Sequence, residues 1–337
     1  MKRVVMKFGG TSVATAENRQ LAFAHIRREL EQGNQVICVV SAMGRKGAPY
    51  ATDTLLGLVD KRTAPATRDL INSCGEAISV CIFASELTLA GIPARPFTAE
   101  SAGILSTDNF CSADIIDMDA RNILAALAEG VVPIITGGQG RTNAGMTTTL
   151  GRGSSDTSAV IIGGFLKADT VDIYTDVPGI AKTDPRLYPD AAFMEQVAAE
   201  DMLYLAKWGA GVIHHKAVAA GIRFGVPTLR VRSTFDQQPG TAIRRECAAD
   251  GLVGIALLKS VAPAENGDYP VDGRAYAPAE DGAFAILTAV CHGMKEESLT
   301  ALAEKLPGLV RSGDALQAVI PMEQLAELTA FVYRTLS

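Results

Sequence analysis

The chain has 337 residues, a formal charge of −6 and 48% hydrophobic residues, so it can bury at least one full core and favours more than one domain. The mild acidity, with no basic block interleaved with aromatic residues, argues against nucleic-acid binding. The start MKRVVMKF is too short for a signal sequence, and no uncharged apolar run of about 18 residues occurs. We therefore expect a cytoplasmic protein that contacts no membrane.

Short runs rich in Val and Ile alternate with helical patterns over roughly the first 235 residues. Buried strands are predicted at Arg3–Phe8, Gln35–Val40, Val131–Thr136, Val171–Thr175 and Thr228–Val231. Helices are predicted at Glu17–Leu30, Leu70–Ala90 and Ser155–Lys167. This alternation predicts a mostly parallel sheet covered by helices, with ligands at the carboxyl ends of the strands.

The last ninety or so residues have a different pattern. A strand is predicted at Leu252–Leu258, and a strand, a helix, a strand and a helix at Ala283–Val290, Glu296–Leu306, Ala315–Ile320 and Met322–Leu336. Between them, Ala262–Glu280 is rich in Ala, Pro, Gly and Asp, which predicts an irregular connection.

The six cysteines are scattered, without a CxxC pair or a Cys/His ligand spacing. This arrangement indicates neither a zinc site nor a disulfide framework. We predict no metal site formed by the protein alone.

The stretch KFGGTS, Lys7 to Ser12, closes the first predicted strand with a lysine and two glycines. Glycines let the backbone approach a polyphosphate, a helix N-terminus binds its anionic oxygens, and lysine adds positive charge. Alone, this signal is weak, since two glycines between a strand and a helix are more often only a turn. The Walker pattern GxxxxGK[ST] is absent.

Two further stretches carry charged residues near predicted strand ends. In TTTLGRGSSDTSA, Arg152 offers a planar fork suited to a carboxylate, and Asp156 could orient a lysine or hold a metal ion. A carboxylate in the first turn of a helix is also common without either role. In IYTDVPGIAKTDPR, Lys182, Asp184 and Arg186 follow a strand end; such loops are usually solvated connections, but three charged residues at this place favour a nucleotide contact.

Six motifs together resemble the aspartokinase family in order and spacing: KFGGTSV, VVSAMGRKGAPYATDTLL, SCGE, TTTLGRGSSDTSA, IYTDVPGIAKTDPR and PTLRVRSTF. The resemblance covers roughly residues 3 to 245 and is closest to the bacterial enzymes of lysine and diaminopimelate synthesis. It implies an α/β protein of the amino acid kinase fold, a mostly parallel sheet sandwiched by helices. It implies a catalytic domain over residues 1–245 and a shortened α+β ACT-like regulatory domain over residues 246–337.

The resemblance also implies an activity. The protein would use ATP, with Mg²⁺ carried by the nucleotide, to phosphorylate the side-chain carboxylate of L-aspartate. The product, 4-phospho-L-aspartate, leads to lysine and diaminopimelate, threonine and methionine. A homo-oligomer, a dimer through the C-terminal domain, is implied as well.

Site residues follow from the same motifs. Lys7 would stabilise the transferred phosphoryl group, and Asp156 would hold that lysine in place. Backbone and hydroxyl contacts to the nucleotide would come from Gly9, Gly10, Thr11 and Ser12. Aspartate would be bound by Ser41, Thr52, Glu76, which pairs with its ammonium, and Arg152, which clamps its carboxylates. Further nucleotide-binding positions would be Thr175, Asp176, Lys182, Asp184, Arg186 and Gly211.

Several positions on the nucleotide side depart from the family pattern. The family's GAKVLHPRAV reads GAGVIHHKAV here, so Gly211 stands where a lysine usually contacts ATP. His214 is expected to pack at a helix start rather than bind metal. Ala181 replaces a frequent aromatic residue, and Ser154 replaces a glycine of GRGGSD. We predict that Lys182 supplies the missing charge, with a solvated loop lysine as the equal alternative.

Two other functions stay open on the sequence alone. One is phosphoryl transfer to another acidic substrate, against which Ser41, Glu76 and Arg152 together argue. The other is a catalytically weak regulatory or ligand-binding paralogue, to which Gly211 lends weight.

Overall fold

The computed structural model describes residues 1–151, 153–247 and 250–337. These residues form two compact units, the first comprising Met1–Pro178 and Lys216–Ala242 and the second Gly179–His215 and Ile243–Ser337. The second unit takes in a segment that the sequence analysis placed in the catalytic domain. The domain limit at residue 245 stays a prediction.

Helices separate single strands or short runs of strands up to Thr175, and the C-terminal part contains a longer run of consecutive strands. The first elements are β1 (Arg3–Phe8), α1 (Ala16–Glu31), β2 (Gln35–Val40), α2 (Thr52–Leu56), α3 (Pro65–Leu89), β3 (Ala94–Phe97), β4 (Ile104–Ser106), β5 (Ile115–Met118), α4 (Arg121–Ala128), β6 (Val132–Thr136), β7 (Gln139–Arg141), β8 (Thr147–Thr149), α5 (Ser154–Phe165) and β9 (Thr170–Thr175). The next are β10 (Gln196–Ala198), α6 (Ala199–Lys207), α7 (His215–Phe224), β11 (Leu229–Ser233), β12 (Thr241–Arg244), β13 (Gly251–Pro263), β14 (Tyr269–Val271), β15 (Arg274–Pro278), β16 (Phe284–His292), α8 (Glu296–Lys305), β17 (Val310–Ser312), β18 (Ala315–Pro321) and, after a 3₁₀ turn, α9 (Leu325–Leu336).

The first unit is built on a parallel sheet whose strands follow the order β11-β9-β1-β2-β6-β3. Each neighbouring pair in this run is parallel. In β1 and β2 the register runs from Arg3 opposite Gln35 to Phe8 opposite Val40, so the carboxyl ends of the two strands lie side by side. All five strands predicted within the first 235 residues belong to this sheet. The α/β fold class is confirmed.

Aromatic packing joins the helices of the first unit to this sheet. Phe8 of β1 stacks on Tyr174 of β9 with ring centroids 4.7 Å apart, and Phe23 of α1 meets Phe83 of α3 edge-on at 5.0 Å. All four rings belong to one buried core. Burial of such a side chain contributes about 1.5 to 3 kcal/mol, so this cluster fixes both helices relative to β1.

Helix α3 has 25 residues and, by length and composition alone, could cross a membrane. It is the single such helix among the described residues, and 39% of its most apolar window is buried inside the molecule. Its side chains Val80, Phe83 and Leu87 lie in the core with Phe8. Core helices of proteins without any membrane span pass the same test, so the helix is only a weak indication of a membrane contact.

A small four-stranded sheet, β5-β4-β7-β8, completes the first unit and was not predicted from the sequence. Its strands have three or four residues each, too few for an alternating pattern to be recognised. β7 and β8 form an antiparallel hairpin in which Gln139 lies opposite Thr149. The hairpin connects the end of β6 to the glycine-rich stretch before α5.

The second unit contains a six-stranded sheet in the order β14-β15-β13-β16-β18-β17, with antiparallel neighbours. Its core includes Leu287 of β16, Leu316 of β18, Leu302 of α8 and Val332 of α9. The strand, helix, strand and helix predicted after Ala283 are all present. This is the C-terminal α+β, ACT-like part of the fold.

The prediction of an irregular connection at Ala262–Glu280 was wrong. The segment contains the hairpin β14–β15, and β15 extends the sheet by pairing with the end of β13. Asp272 and Gly273, both with positive φ (50° and 70°), form its turn. An Asp-Gly pair is a strong hairpin signal, because both central residues of such a two-residue turn need positive φ. The high Ala, Pro and Gly content concealed it.

Candidate active site

A cavity of about 290 Å³ lies at the carboxyl ends of β1, β2 and β6 in the first unit. Its wall contains residues within two positions of the ends of these strands, Gly10, Ser41 and Gly137. The remaining lining residues are Ala42, Gly44, Thr52, Asp53, Asn72, Glu76, Gly138, Thr149, Gly151, Gly153, Ser154 and Ser155. Three of the four residues predicted to bind aspartate, Ser41, Thr52 and Glu76, thus share one cavity.

Lys7 and Asp156 form an ion pair beside this cavity. The Lys7 Nζ atom lies 2.6 Å from Asp156 Oδ1, and the two side chains are 10% and 15% exposed. Asp156 is in the first turn of α5, where the helix dipole favours a negative charge. The ammonium is therefore fixed in place by a carboxylate that directly follows the lining residue Ser155.

Two glycines allow the loop after β2 to approach both β1 and α3. A Cβ atom added at Gly10 would lie 2.6 Å from the carbonyl oxygen of Gly44 and 2.8 Å from that of Ala42. One added at Gly75 would lie 2.8 Å from the carbonyl oxygen of Tyr50. Neither position has room for a side chain, which gives the second glycine of KFGGTS and the glycine of SCGE a physical reason.

The predicted nucleotide hydroxyls have different surroundings. Thr11 Oγ1 accepts a hydrogen bond from Arg45 Nε at 3.0 Å. Ser12 is fully buried, and its hydroxyl accepts a hydrogen bond from Thr234 Oγ1 at 2.6 Å. Gly9 donates its N–H to the Tyr174 carbonyl oxygen at 3.3 Å. The described structure thus brings Thr11, but not Ser12, to the surface of this turn.

Glu76 is a buried carboxylate in the cavity wall. Gln139 Nε2 donates to its Oε2 at 3.0 Å and also to the Ser73 carbonyl oxygen at 3.1 Å. Burial raises the pKa of Glu76 from 4.5 to about 7. Because the folded-state pKa lies above the unfolded value, the contribution of this group to stability is complete below pH 4.5 and is lost as the pH rises through about 7.

The start of α5 completes the cavity. Ser41 Oγ donates to Ser155 Oγ at 2.9 Å, which connects the end of β2 to the helix. Gly151 and Gly153 both line the cavity. Arg152, the predicted carboxylate clamp between them, lies outside the described residues.

Asp69, which the sequence analysis missed, holds one wall of the cavity. Its side chain is 1% exposed and accepts three hydrogen bonds: from the Cys111 N–H (2.8 Å), the Thr149 N–H (2.9 Å) and the Thr149 hydroxyl (2.5 Å). Thr149 lines the cavity and its carbonyl oxygen accepts from the Ala113 N–H at 3.0 Å. No local pattern identifies Asp69, because its partners are 42 and 80 residues away in sequence.

The other predicted nucleotide residues divide between the units. Thr175 and Asp176 follow each other at the end of β9 in the first unit, and Asp176 Oδ2 lies 2.6 Å from Arg45 Nη2. The residues Lys182, Asp184, Arg186 and Gly211 belong to the second unit.

Within the second unit, Asp184 pairs with two cations. Its oxygens accept hydrogen bonds from Arg186 Nε at 3.0 Å and Lys259 Nζ at 2.9 Å. The Arg186 hydrogen bond, followed by that of Lys259, holds the pKa of Asp184 well below its usual range. The Lys182 N–H donates a hydrogen bond to the Ala192 carbonyl oxygen, and the Lys182 carbonyl oxygen accepts one from the Ile255 N–H.

Gly211 and the histidine pair lie in the same unit. A Cβ added at Gly211 would have no atom closer than 4.0 Å, so the space there does not require glycine. The rings of His214 and His215 stack on each other with centroids 4.5 Å apart. Among the described residues, no group of three or more His, Cys, Asp or Glu side chains is placed to hold a metal ion.

Comparisons with known proteins bear on these features. The sequence matches the amino acid kinase family over residues 2–233. It is 41% identical over 286 residues to aspartokinase 1 of Bacillus subtilis (strain 168), covering 80% of this chain and 70% of that protein. The chain belongs to the aspartokinases of the amino acid kinase family.

Other aspartokinases support this assignment. The Geobacillus stearothermophilus aspartokinase is 38% identical over 250 residues, which is 73% of this chain but 60% of that protein. The crystal structure of E. coli aspartokinase III in complex with aspartate and ADP matches with a TM-score of 0.80 over 99% of both chains, at 19% identity. The latter likeness confirms the fold of this aspartokinase.

We predict that Asp69→Ala destabilises this aspartokinase by about 2 to 4 kcal/mol, because the buried N–H and hydroxyl of Thr149 and the partly buried N–H of Cys111 lose their acceptor. Urea-induced unfolding measures the change. Asp108→Ala, which removes an exposed carboxylate from the same part of the chain, is the control and should change stability by less than about 0.5 kcal/mol. Equal losses of stability in the two variants would contradict a structural role of the Asp69 hydrogen bonds.

Proposed function

We propose that the protein transfers the γ-phosphoryl group of ATP to the side-chain carboxylate of L-aspartate and forms 4-phospho-L-aspartate. The observation that carries this proposal is the combination of a buried carboxylate, Glu76, in the wall of a small cavity with the Lys7–Asp156 pair beside the same cavity. A carboxylate suits the ammonium of an amino acid, and a fixed lysine suits a phosphoryl group.

The reaction needs positioning more than proton transfer. A side-chain carboxylate oxygen of aspartate attacks the γ-phosphorus in line, the bond to the bridging oxygen breaks, and ADP leaves with the electron pair. The attacking carboxylate is already ionised at neutral pH, so no general base is required. The role of the protein is to align the two substrates and to stabilise the negative charge of the transferred group.

Lys7 is proposed to stabilise that charge. Its ammonium is held by Asp156 at 2.6 Å and therefore needs little reorganisation when the phosphoryl group passes. Gly10 would offer its amide group, and Thr11 its hydroxyl, to the phosphates, whereas the Gly9 N–H is donated to the Tyr174 carbonyl oxygen and Gly9 would contribute only close backbone approach. Thr175 and Asp176, at the end of the neighbouring strand β9, would contact the same nucleotide.

Aspartate is proposed to bind in the 290 Å³ cavity. Glu76 would pair with the α-ammonium, Ser41 and Thr52 would donate hydrogen bonds, and Arg152 would clamp the carboxylates. This proposal also retains the predicted nucleotide-binding positions Lys182, Asp184, Arg186 and Gly211.

Mg²⁺ would arrive with ATP. A cation of this kind takes most of its ligands from phosphate oxygens and water. Bound Mg²⁺ would neutralise phosphate charge. Asp176, just after β9 and paired with Arg45, is the carboxylate that would face such an ion or its water shell.

We also propose a homo-oligomer formed through the C-terminal domain, a cytoplasmic location and a role at the start of lysine or diaminopimelate synthesis. The predicted dimer can be measured by sedimentation velocity at several protein concentrations.

A hydroxylamine trap tests the activity. The protein is incubated with ATP, Mg²⁺ and each of a panel of acidic amino acids, and hydroxylamine converts an acyl phosphate into a hydroxamate, which is measured as its coloured complex with ferric iron. We expect hydroxamate with L-aspartate and little with L-glutamate. A higher yield with another acidic substrate, or none with any, would replace the proposal with one of the two alternative functions.

We predict that Lys7→Ala lowers the rate of hydroxamate formation at least roughly a hundredfold, while aspartate binding stays measurable. The reason is that Lys7 acts on charge that develops on the phosphoryl group. Lys2→Ala, which removes an exposed lysine just before β1, is the control and should keep the rate. Circular dichroism verifies that both variants are folded, and near-normal turnover of folded Lys7→Ala would remove Lys7 from the mechanism.

We predict that binding of aspartate releases a proton near pH 6.5. Glu76, with a pKa of about 7, is then mostly protonated in the free protein, and the arriving ammonium favours its ionised form. Titration calorimetry in two buffers of different ionisation enthalpy should show about half a proton or more released per aspartate, falling towards zero above about pH 8.5. The release should vanish in Glu76→Gln; its persistence there would assign it to another group.

A further inference from the structure

Arg45 links the ends of two neighbouring strands of the parallel sheet. Its Nε donates to Thr11 Oγ1 at 3.0 Å, in the glycine turn after β1, and its Nη2 lies 2.6 Å from Asp176 Oδ2, just after β9. The loop that carries it is fixed to the same turn, since the Gly44 N–H donates to the Gly10 carbonyl oxygen at 2.9 Å. The guanidinium thus spans the strand ends where ligands of open α/β sheets bind.

Stability does not explain this arrangement. The Arg45 side chain is 74% exposed and that of Asp176 is 41% exposed. Ion pairs with this exposure contribute about 0 to 1 kcal/mol, and salt screens them further. Such a pair is easily exchanged for a ligand of higher charge.

The glycine turn also needs positive charge that Lys7 does not fully provide. The triphosphate of ATP carries about four negative charges, whereas the ammonium of Lys7 is already paired with Asp156 at 2.6 Å. Gly211, at the position predicted to contact the nucleotide, supplies none. The sequence analysis assigned the missing charge to Lys182, whose backbone lies in the second unit, whereas Arg45 shares the first unit with Lys7.

We propose that Arg45 binds the phosphates of the nucleotide, and that in the free protein Asp176 holds its guanidinium in readiness. This proposal rests on the proposed function for the presence of ATP at the glycine turn. On binding, Arg45 exchanges the Asp176 carboxylate for phosphate oxygens, and its planar fork can donate two parallel hydrogen bonds to them. Asp176 becomes free to face Mg²⁺ or its water shell.

The test measures nucleotide affinity in the absence of aspartate. Titration calorimetry with Mg²⁺ present compares ATP, ADP and adenosine for the wild-type chain, Arg45→Ala and Arg45→Lys. Lys46→Ala is a matched control, because it removes one exposed positive charge from the next position of the same loop. Thermal unfolding checks that each variant is folded, and no loss is expected for so exposed a side chain.

We expect Arg45→Ala to weaken ATP binding roughly tenfold or more, ADP binding less and adenosine binding not at all, since a hydrogen bond to a charged group is lost. Arg45→Lys should recover part of the loss, and Lys46→Ala should change ATP affinity less than about twofold. Unchanged ATP affinity in Arg45→Ala would overturn the proposal. So would an equal loss for ATP, ADP and adenosine, which would identify Arg45 as a support of the turn rather than a phosphate contact.

The two proposals fail separately. A wild-type chain that binds ATP and forms no hydroxamate, together with weaker ATP binding by Arg45→Ala, would overturn the aspartate reaction and retain the role of Arg45. Hydroxamate formation by the wild-type chain, together with unchanged ATP affinity in Arg45→Ala, would retain the aspartate reaction and overturn the role of Arg45. A wild-type chain that binds no ATP would overturn both.

Discussion

The ion pair between Lys7 and Asp156 is the interaction on which the candidate site depends. It joins β1, in the middle of the parallel sheet, to the start of α5, and both charges are mostly buried. Removing one partner of such a pair leaves an uncompensated charge, which typically costs about 3 to 5 kcal/mol. The lysine that suits the phosphoryl group is therefore also part of what holds the helix to the sheet, so catalysis and stability are coupled at this position.

The loop from Ser41 to Ala51 brings the separate motifs of the sequence together. Its backbone packs against Gly10, which follows β1, and against Gly75 of α3. It also contains the cavity residue Ser41 and the exposed Arg45. Since neither glycine has room for a Cβ atom, the motifs are constrained as a set. Their spacing in the sequence reflects this one packing arrangement.

Much of the fold followed from the sequence, and the failures have physical causes. Arg3–Phe8 and Gln35–Val40 were predicted with their observed bounds, because strands buried on both faces read as uninterrupted apolar runs. The strands of the small sheet are too short to leave such a pattern. At Ala262–Glu280, overall composition was given more weight than the local Asp-Gly turn, and the hairpin was missed.

The site divides in the same way. Ser41, Thr52 and Glu76 were predicted from local motifs, and the structure places them in one cavity, while their role in binding aspartate stays a prediction. Asp69 could not be found, because a hydrogen-bonding role that reaches 80 residues along the chain leaves no local pattern. The burial of Ser12 was equally invisible, since it depends on Thr234, which is 222 residues away.

The raised pKa of Glu76 has a consequence for which molecules enter the cavity. A carboxyl group that is half neutral near pH 7 repels the two carboxylates of an incoming substrate less than a fully charged group would. It becomes ionised when the ammonium of that substrate arrives beside it. Selectivity for an amine is then itself dependent on pH. In acid, where Glu76 keeps its proton, its neutral carboxyl group attracts an ammonium less strongly, so the preference for an amine is expected to be weaker there and to sharpen as the pH rises.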